Sequence, residues 1–152
     1  MKFSKLIAAL FSVALLVGLV GCGEKEQSKT FTWSQAGTEV TLTYYYNKDD
    51  KVLRQTAKNK IEYSSIGAKN KEEAMKVLDP ISKRYQSIKG IKESVDYEET
   101  YAQETLDVDY SEVDFAQLNN LQGSEFTGTV NGNISMSRSE ELLKARGFKE
   151  VQ

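Results

Sequence analysis

The chain has 152 residues, a formal net charge of −2, eight tyrosines, one tryptophan, one cysteine and no histidine. The lack of histidine removes any Ser-His-Asp triad, the commonest general base and the commonest neutral metal ligand, and one cysteine cannot form an intramolecular disulfide. A mildly acidic chain of mixed charge is unsuited to nucleic acid, and its length fits one domain around one core.

Residues 1–22 read MKFSKLIAALFSVALLVGLVGC. Lys2 and Lys5 form a basic start, Leu6 to Val20 an apolar run, and Gly21 then leads into Cys22, the order of a secretory signal peptide. The apolar run of about fifteen residues is shorter than the ~20 a membrane-spanning helix needs. A small residue directly before cysteine is the lipobox pattern of bacterial lipoproteins rather than the A-x-A site of plain secretion. We therefore expect residues 1–21 to be a cleaved signal peptide and Cys22 to be the lipidation site, since a thiolate is nucleophilic enough to take a diacylglyceryl group. Two acyl chains, at about 0.8 kcal/mol per buried CH₂, hold a protein stably on a leaflet where one would not. The expected partner of Cys22 is thus a membrane, and the expected address extracytoplasmic. After cleavage no thiol remains for chemistry.

Residues 22–29 comprise that cysteine and the polar run GEKEQSK, a flexible tether; residues 30–152 form the expected single α+β domain. Thr30–Trp33 is a short strand. In Glu39–Tyr46, Val40, Leu42, Tyr44 and Tyr46 alternate with Glu39, Thr41, Thr43 and Tyr45, the pattern of a half-buried strand. Asn47 to Asp50 is a turn, and Lys51–Tyr63 a partner strand with Leu53, Ala57, Ile61 and Tyr63 on its apolar side and Arg54, Thr56, Lys58, Lys60 and Glu62 on the other. One wet face predicts an antiparallel sheet covered on one side.

Asn70 with Glu73 makes a capping box for the covering helix, whose stripe is Ala74, Val77, Leu78, Ile81, Tyr85 and Ile88. The stripe stays in phase across Pro80, predicting one kinked helix; two short helices, with Asp79 capping the second, are the alternative. Gly90 ends this segment. Ser94–Tyr110 holds two strands with a turn near Ala102-Gln103, Val113–Leu121 a helical turn or two, and Gly123–Asn133 a loop with Asn131-Gly132 as a turn pair. A last helix opens on Ser137 with Glu140 as a capping box and closes in a Schellman ending, Gly147 at C′ and Phe148 at C″ against Leu143. The expected fold is a single antiparallel sheet of four to five strands, with a kinked helix on one face and a capped C-terminal helix.

The runs GTEVTLTYYY, KVLRQTAKNKIEYSSIGAKNKEEAMKVLDPISKRY, DYEETYAQETL and LLKARGFKEV, with the Gly21-Cys22-Gly23 junction, resemble the YehR-like family of small bacterial lipoproteins. The family is uncharacterised in function. The resemblance implies an α+β lipoprotein domain, with Cys22 as the modified residue and no catalytic or cofactor-binding residue to carry over. Gly23, rather than Asp, after the cysteine points to the outer membrane in a diderm source and to the outer face of the cytoplasmic membrane in a monoderm.

Three features suggest chemistry and each has a plainer reading. Asp96, Glu98, Glu99, Glu104, Asp107, Asp109, Glu112 and Asp114 are carboxylates of the kind Ca²⁺ prefers, or that two-carboxyl glycan hydrolysis uses. The calcium-loop pattern is absent, and Asp107 and Asp109 fit a solvent face opposite Leu106 and Val108, so no metal or cofactor is expected. Tyr44 to Tyr46 and Trp33 suit a carbohydrate or peptide groove, or core packing with Tyr45 outward. Arg54, Lys58 and Lys60 suit an anionic surface, or a charged wet face. These weigh toward a non-enzymatic binding or accessory module of the envelope, with an unknown small ligand or envelope protein as partner. The alternatives are a structural protein docking to an envelope partner and a carboxylate-dependent hydrolase.

Overall fold

The computed structural model describes residues 25–120, 129–130 and 133–151. The expected leader, Cys22 and the Asn131-Gly132 pair lie outside the described residues. In chain order the elements are β1 (Gln27–Gln35), β2 (Thr38–Tyr46), β3 (Val52–Glu62), a 3-10 turn (Tyr63–Ile66), α1 (Lys71–Gln86), β4 (Ile91–Tyr97), β5 (Tyr101–Asp109), α2 (Phe115–Asn119), β6 (Thr129–Val130), β7 (Asn133–Ile134), α3 (Met136–Ala145) and β8 (Lys149–Val151). No helix among the described residues is long and apolar enough to cross a membrane.

Six strands form one antiparallel sheet in the order β4-β5-β3-β2-β1-β8, and β6 pairs with β7 apart from it. The fold class is α+β, as expected. The strand beyond the expected count is β8, three residues too few to show a periodicity. Thr129, Val130 and Asn133, expected as loop, are paired.

Alternation decides which face is buried. Phe31, Leu42, Ala57 and Leu106 lie side by side across β1, β2, β3 and β5 on the core side. Thr32, Thr41, Lys58 and Thr105 form the neighbouring row on the open face. Where the register shifts, Tyr45 pairs with Arg54 but Tyr46 with Val52. Leu53 is therefore the bulged residue, and Val52, fully buried, takes the core place expected for Leu53.

The turn between β4 and β5 lies at Glu98–Thr100 rather than at Ala102-Gln103. Tyr63 fixes it: its N–H donates to the Thr100 carbonyl at 3.0 Å and its hydroxyl to the Glu98 carbonyl at 2.6 Å. A long-range phenol thus fixes a turn that has no local Gly or Asn-Gly signal, and Ala102 is buried inside the strand.

Helix α1 is continuous through Pro80. Asn70 caps it through the Glu73 N–H at 2.9 Å, while the Glu73 carboxylate reaches the Lys69 N–H at 2.9 Å, one residue before the box position. It packs on β4 toward one edge of the sheet, with Tyr97 donating to Asp79 at 2.6 Å. Ala74, Leu78 and Ser82 face inward; Val77 and Ile81, expected in the buried stripe, are 43% and 45% exposed. The helix sits over the sheet edge, so the 74-78-82 ridge meets strands while the 77-81-85 ridge looks along the sheet toward its uncovered centre. Gly90 lies beyond the helix end, with φ +82°; a Cβ there would come within 2.6 Å of the Val113 nitrogen.

Helix α3 begins two residues earlier than expected. Its N-cap is Ser135, which accepts from the Arg138 N–H at 3.1 Å, and the Ser137 capping box does not form. Asp50 outcompetes it: its carboxylate accepts from the Ser135 hydroxyl (2.5 Å) and from the Ser137 N–H (2.8 Å) and hydroxyl (2.7 Å), and its carbonyl from the Met136 N–H (2.8 Å). Burial would raise the Asp50 pKa, but the Ser135 and Ser137 hydrogen bonds outweigh it and lower the value. Glu140, released from capping, pairs with Lys29 of β1 and with Lys144.

The C-terminal end of α3 matches expectation. Phe148 N–H donates to the Leu143 carbonyl at 3.0 Å, Gly147 N–H to the Lys144 carbonyl at 3.1 Å, and Gly147 has φ +89°. The turn sends Phe148 back to stack on Trp33, with centroids 6.1 Å apart, and delivers β8 to the edge of β1. A Cβ on Gly147 would touch only Trp33 Cδ1 at 4.0 Å, so the penalty for a side chain is in the backbone. Gly147→Ala should cost about 1 kcal/mol, a fall in Tm of ~4 °C by circular dichroism; an unchanged Tm would show that the left-handed turn is not needed.

Candidate functional site

Helices α1 and α3 stand toward opposite edges of the sheet, and between them a groove of about 510 Å³ opens onto the core face. That volume falls within the ~300–1,000 Å³ usual for small-ligand pockets. Its floor is buried: Tyr44 from β2, Gln55 and Ala57 from β3, and Leu143 from α3. Its half-buried walls are Trp33, Val40, Leu42, Leu106, Tyr85 and Phe148, and at its exposed rim stand Gln35 and Arg146. Each wall has a traceable cause. Alternation turns Val40, Leu42 and Tyr44 inward, the α1 ridge brings Tyr85, and the Gly147 turn brings Phe148 onto Trp33.

Electrostatics differ between floor and rim. Burial pushes the Tyr44 phenol up to about 12, with the Arg146 charge pulling the other way. Gln55 is buried beneath the groove and accepts the Tyr110 hydroxyl at 2.7 Å. Arg146 is the one charged residue lining the groove among the described residues.

Next to the groove, under α1, a polar row runs across the core face. Asn59 Nδ2 donates to Glu104 Oε2 at 2.6 Å; Ser82 Oγ and Gln86 Nε2 donate to Glu93 Oε2 at 2.6 and 2.9 Å. Glu93 Oε1 and Asn59 Oδ1 are buried with no donor. Burial raises the Glu104 pKa; the charge of Glu93 and a hydrogen bond with it add to the rise, while Asn59 opposes it. A proton on Glu104 would give the Glu93 carboxyl the donor it otherwise lacks.

The acidic residues flagged in the sequence are dispersed. Glu104 faces the core, whereas Asp107 pairs with Thr56 and Asp109 with Arg54 on the open face. Asp109 accepts from Ser111, and Asp114 caps α2. Among the described residues no group of three such side chains has the closeness a metal ion needs. The basic residues lie on the open face, where Arg54 covers the Tyr45 ring at 4.2 Å and Lys60 sits 3.8 Å from Glu39 and 5.1 Å from the Tyr101 ring centre. Tyr45 is half-buried and outward, as alternation predicted, and Trp33 both packs and lines the groove. Glu93, Tyr85 and Arg146 were not foreseen as site residues. Gln55 and Asn59, on the otherwise apolar side of β3, were the readable sign that this face is not all core.

With that geometry in view, the chain can be compared with known proteins. Residues 27–149 match the family described as "Protein of unknown function (DUF1307)". The chain belongs to this family. A Listeria innocua relative, "Uncharacterized lipoprotein Lin0239", is 50% identical over 143 residues, 94% of this chain and 93% of the relative. The Escherichia coli relative "Uncharacterized lipoprotein YehR" is 42% identical over 151 residues, 99% of this chain and 98% of the relative. The NMR structure of E. coli YehR matches with a TM-score of 0.74, covering 86% of this chain and 94% of that one. The resemblance drawn from the sequence is thus borne out, and the α+β sheet is the fold of this DUF1307 protein.

The polar row makes a pH prediction. Because the folded Glu104 pKa is raised, its contribution to stability is complete below the ordinary value of 4.5 and is lost as pH rises through the folded value. Glu104→Gln keeps an acceptor for Asn59 and a donor for Glu93 without a charge. It should raise Tm at pH 7 and lose that advantage below pH 4.5 in thermal melts across pH; an equal effect at every pH would argue against the buried proton.

Proposed function

We propose that this chain is an extracytoplasmic lipoprotein, anchored through a diacylglyceryl group on Cys22, whose domain is a non-enzymatic binding module with the α1–α3 groove as its ligand site. The observation that carries the reading is the groove: concave, lined by Trp33, Tyr44, Tyr85 and Phe148, and built at the meeting of strand, helix and chain end. Aromatic side chains give a large apolar contact area at little entropic cost, which suits retention of a small apolar molecule. The relatives' names, uncharacterized lipoproteins all, support the anchor. A hydrolase reading is weaker, because the Glu93 and Glu104 carboxyls are engaged by Ser82, Gln86 and Asn59 beneath α1 rather than turned into the groove.

Trp33 is the single tryptophan of the chain and lines the groove, so binding has a built-in reporter. The neutral dye N-phenyl-1-naphthylamine should quench Trp33 with one site per chain, and Ala57→Phe, which fills the floor, should abolish the quenching while leaving the circular dichroism spectrum intact. Quenching unaffected by Ala57→Phe would place the dye elsewhere. For the anchor, Cys22→Ser should eliminate incorporation of radiolabelled palmitate in cells; undiminished labelling would remove Cys22 as the site.

A further inference from the structure

We propose that a second site, on the open face of the sheet, takes a compact zwitterion bearing a carboxylate and an ammonium, of the size of an amino acid or a dipeptide. It is separate from the α1–α3 groove and does not depend on it. The site is a cleft of about 310 Å³ over the start of β3, the start of β4 and the end of β5. At ~30 Å³ for each water-sized unit, that is room for about ten non-hydrogen atoms.

Three strands and a loop supply its charges. Asp107 and Asp109 stand on β5, with Arg54 opposite Asp109 on β3 and Lys92 opposite Asp107 on β4. Glu112 joins them from the loop after β5. Gly90 lets that loop come close: its carbonyl accepts the Asp109 N–H at 2.8 Å, and the Asp109 carbonyl accepts the Glu112 N–H at 3.1 Å.

These charges feel one another yet are held apart. Hydrogen bonds from Ser111 lower the Asp109 pKa; burial opposes them, and the charges of Arg54 and Lys92 add to the fall. No ion pair joins Arg54 or Lys92 to the three carboxylates among the described residues. Arg54 instead lies on the Tyr45 ring at 4.2 Å, toward β2, while Ser111 occupies Asp109 through its N–H at 2.9 Å and its hydroxyl at 2.6 Å. The ring attracts the guanidinium charge but leaves a donor unmet, since Arg54 Nε is buried with no acceptor.

The mixture of signs selects the ligand. A simple anion at Arg54 would face Asp107 and Glu112, and a simple cation at those carboxylates would face Arg54 and Lys92. A molecule with one charge of each sign answers both. Guanidinium offers a carboxylate paired donors, and an ammonium suits the β5 side. Neighbouring strands lie ~4.8 Å apart, between the reach of one and of two residues at ~3.3–3.6 Å each. Ile91 is the only apolar side chain of the lining among the described residues, which suits a ligand without a tail.

The test uses residues 23–152, which contain both core clusters and every described element; the E. coli relative, matched over 86% of this chain, is folded in solution. The amide resonances of Gly90, Lys92 and Asp109 are followed by NMR in titrations with four probes. These are glycylglycine, N-acetylglycylglycine, glycylglycinamide and phosphoethanolamine. Glycylglycine should bind about tenfold more tightly than either blocked form, the worth of one charge-assisted contact, and more tightly than phosphoethanolamine. Arg54→Met should bring glycylglycine down to the affinity of glycylglycinamide and leave the latter no weaker. Asp107→Asn should narrow the gap to N-acetylglycylglycine, and it carries the test by itself where Arg54→Met does not fold. Equal binding of glycylglycine and either blocked form would overturn the zwitterion. Tighter binding of phosphoethanolamine would overturn the amino-acid class in favour of a phosphate headgroup. A preference for glycylglycine that survives both substitutions would overturn the assignment of these residues. Silence of all three amides toward every probe would overturn the site, while the groove reading is judged separately by Trp33 quenching.

Discussion

The shape of this protein follows from a mismatch in width. Six strands at ~4.8 Å spacing place the outer axes ~24 Å apart, whereas a helix with its side chains is ~10 Å across. Two helices can roof such a sheet only if they lie edge to edge, and here they do not. Tyr97 and Asp79 hold α1 near β4, while the Lys29–Glu140 pair and the Gly147 turn hold α3 toward β1 and β8, and Asp50, in the β2–β3 turn, fixes its N-terminus. The strip between them falls over β2 and β3. Its floor is therefore left without a helix directly above it, and the aromatic residues at its margins narrow the opening without closing it.

How this arrangement is stabilised divides along the same line. One cluster gathers Phe31, Tyr44, Val52, Ile91, Val108, Leu118 and Met136; a second gathers Tyr63, Ala68, Ala74, Leu78 and Ala102. Full burial of residues the size of Phe31 or Leu118 contributes about 1.5–3 kcal/mol each, and this burial holds the domain together. Between the clusters lies the polar row of Asn59, Glu104, Glu93, Ser82 and Gln86, where two oxygens have no donor. Such atoms cost ~1–3 kcal/mol apiece, and a proton on Glu104, whose pKa burial raises, would offset part of that at the expense of pH sensitivity. The row thus separates the smaller Tyr63 cluster from the larger one, which borders the groove.

The long, periodic elements were legible in the sequence because one interaction range dominates each. Alternation in Glu39–Tyr46 and the Gly147 ending depend on neighbours within a few residues, and both appear as read. The errors arise where a distant residue overrides a local preference. Asp50 displaces the Ser137 cap, Tyr63 fixes the β4–β5 turn, and the placement of α1 over the sheet edge uncovers Val77 and Ile81. The groove was only half legible for the same reason. Trp33 and the tyrosines were singled out, but Arg146 and Phe148 reach them through a fold-back that no sequence window contains, although Gln55 and Asn59 broke the apolar row of β3 in plain view.

The proposed anchor and the proposed groove also constrain each other. From Cys22 to the start of β1 the tether extends at most ~18 Å, less than the ~26 Å that nine residues of strand span along β1. A domain so tethered stays within about its own length of the leaflet. Gln27, where the tether enters, and Gln35, at the groove rim, are opposite ends of that strand. When β1 stands along the membrane normal the rim faces away from the leaflet; when the domain lies flat, the core face and its groove can meet it. On the open face Arg54 lies over Tyr45 and Lys60 between Tyr101 and Glu39. With the proposed anchor, a tether of this length is compatible with both postures. A linker much longer than β1 would not tie the groove to the leaflet in this way.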